Sequence, residues 1–295
     1  MTLTLDVLVF GVISGALIAI GSVGFTLQYG VTNVLNLAYG PIMTSAIFVS
    51  YEAGRLKSDL ALLLVVGAIW GAVFSAVLNW TIIGPFTRRG SSVVSMAMVT
   101  VGLLLIIEYT LELIQGPYIL SYYTPGSSRI HIFSAIVSST QIVLVGLAIA
   151  LMLAVHIVLR HTRLGLAMRA MASDPNLTRA CGISTSRVRT ISWSISGALC
   201  GVTGVLLGTA VGTFNSSTGD SLFIGIVAAA VLGGVGEPYG AMLGGLLVGL
   251  VSEAAGALIS PAYTEVSASV VLVLVLVLRP TGLFGQLGTA RRLTA

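Results

Sequence analysis

Long apolar runs separated by short polar segments dominate this sequence. The runs are continuous and lack the strict alternation of apolar and polar residues that marks a half-buried strand. A helix needs about 20 mostly apolar residues to cross a bilayer, so we predict about eight or nine transmembrane helices. They occupy residues 7–27, 31–51, 60–83, 92–114, 142–159, 191–209, 221–232, 241–259 and 266–278.

The composition supports a chain that is embedded in lipid. Hydrophobic residues make up 56% of the 295 residues and charged residues only 8%, against about 25% charged residues in soluble domains. Too few charged side chains remain to cover a surface that faces water. A membrane β-barrel would show alternating segments of about ten residues. We therefore predict an all-α integral membrane protein, a polytopic helix bundle in which residues 1–295 form a single transmembrane domain.

The second apolar run contains a predicted break. Pro41 lacks a backbone N–H, and Gly40 before it adds conformational freedom. Asn33 and Asn36 would share one face of a helix. Irregular backbone with polar groups at membrane depth is tolerated against protein or a water-filled path. The pattern favours a broken second helix whose Asn33, Asn36 and Gly40 line a substrate path, and a hydrogen-bonded clamp between helices is the alternative.

Carboxylates inside apolar runs are further candidates for a functional site. Glu108 and Glu112 lie one helical turn apart near the end of the fourth run, and Glu253 lies in the eighth. We assign Glu108 to the substrate path, with a solvated face at the membrane surface as the alternative. An external loop with short β-like segments is predicted at about 115–141. Its His131 has no neighbouring ligand, so no metal site is predicted there.

The basic residues predict the orientation of the chain. If the helices alternate in direction, all but three of the 14 Lys and Arg residues fall on one side, the exceptions being Arg55, Lys57 and Arg129. The side rich in Lys and Arg is normally cytoplasmic. The amino terminus is therefore predicted outside and the carboxyl terminus in the cytoplasm. Because the basic residues lie between apolar runs, the net charge of +4 does not indicate nucleic acid as a partner.

This orientation places one sizeable polar loop, at about 160–189, in the cytoplasm. Asp174 followed by Pro175 is typical of a helix start, because aspartate caps free amides and proline suits the first helical position. Gly182 suits the left-handed residue that follows a helix. We predict a short cytoplasmic coupling helix that docks on another protein, and an ordinary basic loop at the membrane surface is the alternative. The docking residues are Arg169, Asp174, Pro175, Arg179, Ala180 and Gly182.

Catalytic motifs are absent from the sequence. A nucleotide-binding P-loop needs a lysine between glycine and Ser or Thr, and the single lysine, Lys57, follows Leu56. The HExxH and GxSxG motifs are also missing. We therefore predict a chain that is not an enzyme and that holds no metal or cofactor. Uphill transport would draw on an ion gradient or on a separate ATPase subunit.

The tetrapeptide SGAL occurs twice, at 14–17 and at 196–199, and glycine-rich sequence follows each copy. In the predicted topology the two helices that contain it run in opposite directions. Opposite directions are typical of the inverted repeats found in transporters.

Four motifs occur in an order that resembles one family along almost the whole chain. GLAMRAMASDPNLTRACGISTSRV, followed by SGALCGVTGVLLG, resembles the cytoplasmic loop and next helix of ABC permeases for branched-chain amino acids. TLQYGVTNVLNLAYGPIM is similar to the second helix of that family. VLGGVGEPYGAMLGGLLVGLVSE resembles its glycine-rich carboxyl-terminal motif, and RPTGLFG resembles its usual ending.

This resemblance implies an importer of branched-chain or other small amino acids in a bacterial inner membrane. Two permease subunits would pair, two ATP-binding subunits would dock below them, and a soluble substrate-binding protein would deliver solute from outside. The loop at 174–182 would be the coupling helix. Asn33, Asn36 and Gly40 would lie near the translocation path.

One departure from the family pattern leaves the substrate open. The family often carries a lysine in a KAF-like element before the last apolar runs, whereas LFIGIVAAAVLGG has Gly225 and no basic residue. A permease for urea or short amides is therefore an alternative. Two others are an ion-coupled secondary transporter, which would need Glu108 and Glu253 deep in the bundle, and a membrane scaffold without transport activity.

Overall fold

The chain folds into a helix bundle with two small antiparallel strand pairs. The computed structural model describes residues 2–56, 59–116, 118–122, 129–132, 135–279 and 281–284. The helices are α1 Thr2–Thr32, α2 Tyr39–Leu56, α3 Leu60–Leu78, α4 Gly84–Arg88, α5 Val93–Gln115, α6 Ser139–His161, α7 Arg163–Ser173, α8 Pro175–Ala180, α9 Thr185–Val211, α10 Thr218–Gly233, α11 Pro238–Leu258 and α12 Tyr263–Leu278. A turn of π-helix, Asn79–Ile83, joins α3 to α4. The strands are β1 Leu120–Ser121, β2 Arg129–Ile132, β3 Ala135–Ser138 and β4 Thr213–Phe214, and β1 pairs with β4 and β2 with β3.

The helical membrane class that the sequence predicts is confirmed. Within the described residues, six helical segments are long and apolar enough to cross a membrane, and α10 and α12 are shorter apolar helices. The six are 6–32, 60–88, 93–115, 139–161, 185–211 and 238–258. The predicted external loop contains β1, β2 and β3. The total of eight or nine crossings stays a prediction, and Lys57, Arg291 and Arg292 lie outside the described residues.

Small residues allow the central helices to approach closely. A side chain at Gly71 of α3 would overlap the carbonyl oxygen of Gly197 on α9, and one at Gly201 of α9 would overlap that of Gly67. Gly249 of α11 meets the backbone of α1 in the same way. Helices in lipid associate through such close packing because burial from water does not drive them together. The glycine-rich runs of the sequence are therefore packing surfaces.

Two of these helices, α1 and α9, run antiparallel at the centre of the bundle. Ser196 Oγ donates to Gln28 Oε1 at 3.0 Å, and Thr203, further along α9, faces Gly21, which lies earlier in α1. The opposite directions predicted for the two SGAL helices are thus confirmed. Moreover, Asn33 follows the first SGAL by the same number of residues as Asn215 follows the second, and each asparagine lies in a helix break.

The first break lies earlier than the sequence predicts. α1 continues to Thr32, residues 33–38 are not helical, and α2 begins at Tyr39. Gly40 and Pro41 therefore belong to the first turn of α2 and do not interrupt it. The reason is that the first N–H groups of a helix have no intrahelical acceptor, so a proline there removes no hydrogen bond.

Asn33 and Asn36 do not share a helical face, and that prediction is wrong. Asn33 adopts a left-handed conformation with φ of 51°, its N–H donates to Tyr29 O at 2.7 Å, and its side chain is exposed. Asparagine tolerates this conformation better than most residues. Asn36 lies in the non-helical segment 33–38 and is 2% exposed. The break therefore turns one asparagine outward and the other inward.

The second break, at residues 212–217, is closed by its own side chains. Gly212 ends α9 with φ of 76°, where a residue with a Cβ would be strained. Asn215 Oδ1 accepts from Ser217 N at 3.2 Å and from Thr218 Oγ1 at 2.8 Å. This turn carries the chain from β4 into α10.

The two ends of the bundle differ in composition. One end carries Arg88, α7, α8 and the start of α9, and we call it the basic end. The other end carries the strands and the beginnings of α1, α6 and α12. Phe10, Gln141 and Thr264, which lie near the starts of these three helices, line one cavity. We call this end of the bundle the strand end.

Candidate functional site

The helix α2 begins in the interior of the bundle. Its first residue, Tyr39, is 1% exposed and lies beside the middle of α9, where the Cys200 thiol donates to Tyr39 O at 3.3 Å. The chain reaches this point through the non-helical segment 33–38, which runs inward from the basic end. α2 is therefore a half-helix that begins at mid-bundle depth and continues toward the strand end.

The first turn of α10 meets the first turn of α2. Gly219 N donates to Thr44 Oγ1 at 2.9 Å. A Cβ at Gly219 would overlap the carbonyl oxygen of Gly40, and a Cβ at Gly40 would overlap Asp220 Oδ1. Both helices thus begin at one position and run away from it in opposite directions. We call residues 39–44 and 218–220 the half-helix junction.

The junction combines two helix amino termini with a carboxylate. Free N–H groups give a helix amino terminus partial positive charge, which favours nearby anions. Asp220 lies in the first turn of α10, and its Oδ1 is buried without a hydrogen-bond partner among the described residues. The charge of Glu108 on α5 also acts on Asp220. Two carboxylates at this depth would attract a cationic group.

A buried polar cluster lies next to the junction on the side of the basic end. Gln28 Oε1 accepts from Asn36 Nδ2 at 3.5 Å and from Ser196 Oγ at 3.0 Å. Tyr39 Oη donates to Gly21 O at 3.1 Å. The Gln28 Nε2 group is buried without a partner among the described residues. An unpaired donor of this kind indicates a site where a ligand or water would be bound.

The structure brings some of the predicted path residues together and separates others. Asn36 lies in the polar cluster, Gly40 lies in the junction, and Glu108 is close enough to Asp220 to interact electrostatically. Asn33 lies apart from them, at the exposed end of α1. Sequence reasoning missed Asp220, because the polar stretch before α10 resembles a loop. An acidic residue directly before an apolar run too short to span a membrane was the available signal.

Glu253, the carboxylate noted in the eighth apolar run of the sequence, lies elsewhere. Its Oε1 accepts from Ser14 Oγ at 2.5 Å. It lines a cavity of about 290 Å³ between α1, α6, α9, α10, α11 and α12, and neither Glu108 nor Asp220 belongs to the lining. The carboxylates therefore do not form a single chain across the described bundle. No group of three potential metal ligands occurs in the described residues.

The loop at the basic end contains the short helix that the sequence indicates. Asp174 Oδ1 accepts from Asn176 N at 2.8 Å and from Leu177 N at 3.0 Å, and Pro175 occupies the first helical position. Gly182 follows α8 with φ of 80° and donates from its N–H to Arg179 O at 3.0 Å. Caps at both ends stabilise α8 although it has only six residues.

The exposed residues of this loop differ in what they can contact. Arg169 donates to the carbonyl oxygen of Leu159, so it caps the end of α6. Arg179 and Ala180 are exposed on α8, and Leu177 is 63% exposed between them and the cap. Single exposed apolar side chains are common on protein surfaces, so the exposure of Leu177 leaves it accessible without assigning it a partner.

The comparisons with known proteins agree over nearly the whole chain. Residues 7–277 match the family model described as the permease component of the branched-chain amino acid transport system. The high-affinity branched-chain amino acid transport permease LivH of Salmonella typhimurium is 31% identical over 94% of both chains. The corresponding protein BraD of Pseudomonas aeruginosa is 30% identical over 96% of both. The structure of PsaBC from Streptococcus pneumoniae in complex with Fab superposes with a TM-score of 0.53 at 10% identity, covering 95% of this chain and 94% of that one, which shows a shared fold.

Proposed function

The chain belongs to the permease-component family of branched-chain amino acid transport systems, and from this premise we propose that it translocates branched-chain or other small amino acids as a subunit of an ATP-driven importer. It is a transmembrane ABC permease by family, and this chain contributes no catalysis of its own. The ATP-binding subunits, a second permease subunit and an external substrate-binding protein are the partners that this proposal requires.

One observation carries the proposal, namely the half-helix junction. Discontinuous helices whose amino termini point at the substrate form the binding sites of many secondary transporters, and the same physics applies to any bundle that binds an anionic solute group at this depth. Here the amino termini suit the carboxylate of an amino acid, and Asp220 with Glu108 suits its ammonium group. We propose that Asn36, Gly40, Glu108 and Asp220 line the path, and that Asn33 lies at its mouth on the basic end.

The orientation follows from the charges at the two ends. We propose that the basic end lies in the cytoplasm of a bacterial inner membrane, because Arg88 and the arginines of α7, α8 and α9 lie there. The amino terminus then lies outside and the end of α12 in the cytoplasm. The six long segments, together with α2, α10 and α12, give nine crossings.

We propose that α8 is the coupling helix. Its capped ends hold it in one conformation, and Leu177, Arg179 and Ala180 are free to contact an ATP-binding subunit. Movement of that subunit would be passed through α7 to α6, because Arg169 holds the end of α6. Arg169 would therefore transmit force, whereas Asp174, Pro175 and Gly182 would maintain the shape of α8.

Reconstitution with the ATP-binding subunits and the binding protein tests this assignment. We expect Asp174→Lys to abolish solute uptake while the ATPase subunits still hydrolyse ATP, because a cation at the start of α8 removes the cap and opposes the helix dipole. Asp174→Asn keeps the capping oxygen and should retain uptake. Normal uptake by Asp174→Lys would contradict the docking role.

The same vesicles distinguish the alternatives. Uptake driven by a proton or sodium gradient without ATP would support an ion-coupled transporter that uses Glu108 and Asp220. Uptake of urea or short amides in preference to leucine would identify the amide-transporting relatives. Absence of any solute-stimulated ATP hydrolysis would favour a scaffold without transport activity.

A further inference from the structure

A buried guanidinium at the basic end has no anion beside it. Arg189, in the second turn of α9, is 7% exposed, and its Nη1 has no hydrogen-bond partner in the described residues. A buried charge without a partner is strongly unfavourable. The ion pair found within the described residues joins Arg55 to Glu52 near the strand end, so no described carboxylate neutralises Arg189.

Two other arginines add to the positive potential at Arg189. The charges of Arg88, at the end of α4, and of Arg179, in α8, both act on Arg189. Arg88 Nη2 also donates to Ser186 Oγ at 3.2 Å, which holds it against the first turn of α9. Three cations from three separate elements repel one another unless an anion lies between them.

The surroundings of Arg189 place it at the level of lipid headgroups. Trp193, four residues later on the same face of α9, is 1% exposed, and its Nε1 also lacks a partner in the described chain. Asn79 Nδ2 donates to Thr190 Oγ1 at 3.0 Å, and the adjacent Trp80 is 75% exposed. Exposed tryptophan beside a basic cluster is typical of the boundary between hydrocarbon and headgroups.

We propose that Arg88 and Arg189 form a binding site for a phosphate group, supplied by an anionic phospholipid of the adjacent leaflet. The planar guanidinium binds phosphate oxygens in pairs, and basic pockets between helices bind anionic headgroups. A bound phosphate would tie α4 to α9. The site does not depend on which solute the permease carries.

Binding measurements on the purified full-length protein test the site. Phosphatidylglycerol, phosphatidylcholine and inorganic phosphate are titrated separately, and the midpoint of thermal unfolding and the lipid retained in native mass spectrometry are recorded. We expect phosphatidylglycerol to raise the midpoint and phosphatidylcholine to leave it unchanged. Arg189→Gln should weaken phosphatidylglycerol binding about tenfold or more, since a hydrogen-bonded charge is lost.

The variants are chosen so that misfolding does not decide the result. Arg88→Gln alters an exposed residue and should weaken binding by a smaller factor than Arg189→Gln. Arg189→Lys keeps the charge and should retain part of the binding. Arg187→Gln changes an exposed arginine on another face of the same turn and should bind like the original protein.

The outcomes separate the sources of the phosphate group. If only phosphatidylglycerol raises the unfolding midpoint, the phosphate group comes from a lipid. If inorganic phosphate raises the midpoint as well, the site also accepts a soluble anion. Both results support the proposal. The proposal is overturned if neither phosphatidylglycerol nor inorganic phosphate binds. It is also overturned if Arg187→Gln weakens binding as much as Arg189→Gln does. If phosphate ligands do not bind and Arg189→Gln releases the ATP-binding subunit, the missing anion is a carboxylate of that subunit.

Discussion

Each of the two helix breaks leads into a half-helix that begins inside the bundle, but different contacts hold the two breaks. Residues 33–38 form a non-helical segment held by other elements, since Asn36 Nδ2 donates to Gln28 on α1 and Thr100 Oγ1 on α5 donates to Leu35 O at 2.9 Å. Residues 212–217 form a turn closed locally by Asn215. Tertiary contacts hold both breaks, because β4 in the second pairs with β1, but the second is also closed by a turn formed by its own side chains. We therefore expect the first break, which has no such Asn-closed turn, to be the one that changes when the bundle moves.

The largest effect should come from a side chain placed where the two breaks meet. We expect Gly40→Leu to abolish uptake and to lower the midpoint of thermal unfolding, because the new side chain would overlap Asp220 and push α10 away from α2. Gly102→Leu is the matched control, since nothing lies within 4 Å of a Cβ at that position. Uptake assays in proteoliposomes measure the difference. Equal loss of uptake in both variants would show that close packing at the half-helix junction is not what transport requires.

A smaller but specific effect should follow from removal of one charge at the junction. We expect Asp220→Asn to reduce uptake at least tenfold, which corresponds to about 1.4 kcal/mol, while the amount of folded protein in the membrane stays the same. The amide keeps the size of the side chain and loses its attraction for an ammonium group. Glu265→Gln, which neutralises an exposed carboxylate at the start of α12, serves as the control. Unchanged uptake by Asp220→Asn would remove this residue from the path.

The smallest effects compare the two asparagines directly. Asn215→Ala should lower the free energy of unfolding by about 2 kcal/mol, because the hydrogen bonds that close the second turn are lost. Asn36→Ala should lower it by about 1 kcal/mol or less, because its bond to Gln28 is 3.5 Å long. Denaturation in detergent measures both. If Asn36→Ala is the more destabilising of the two, then the first break is the more rigid one.

The candidate site shows where prediction from sequence succeeded. Asp174, Pro175 and Gly182 define α8 through local rules of helix capping, and the structure has these caps. Asn36 and Gly40 were identified because polar and flexible residues are rare inside an apolar run. Asp220 was missed, and Asn33 was assigned to the wrong face, because both judgements required the position of the break.

The sequence alone determined the class of the protein, the positions of most helices and the capped loop at the basic end. These features depend on transfer of side chains into lipid and on hydrogen bonds between near neighbours, which local sequence specifies. Only the tertiary structure decided that α2 and α10 begin at one point and that Asp220 faces Gly40 there. It also decided that Arg88 lies against the first turn of α9, the helix that carries the buried Arg189. These contacts join residues far apart in the chain, and their geometry is set by how closely the glycine-lined helices pack.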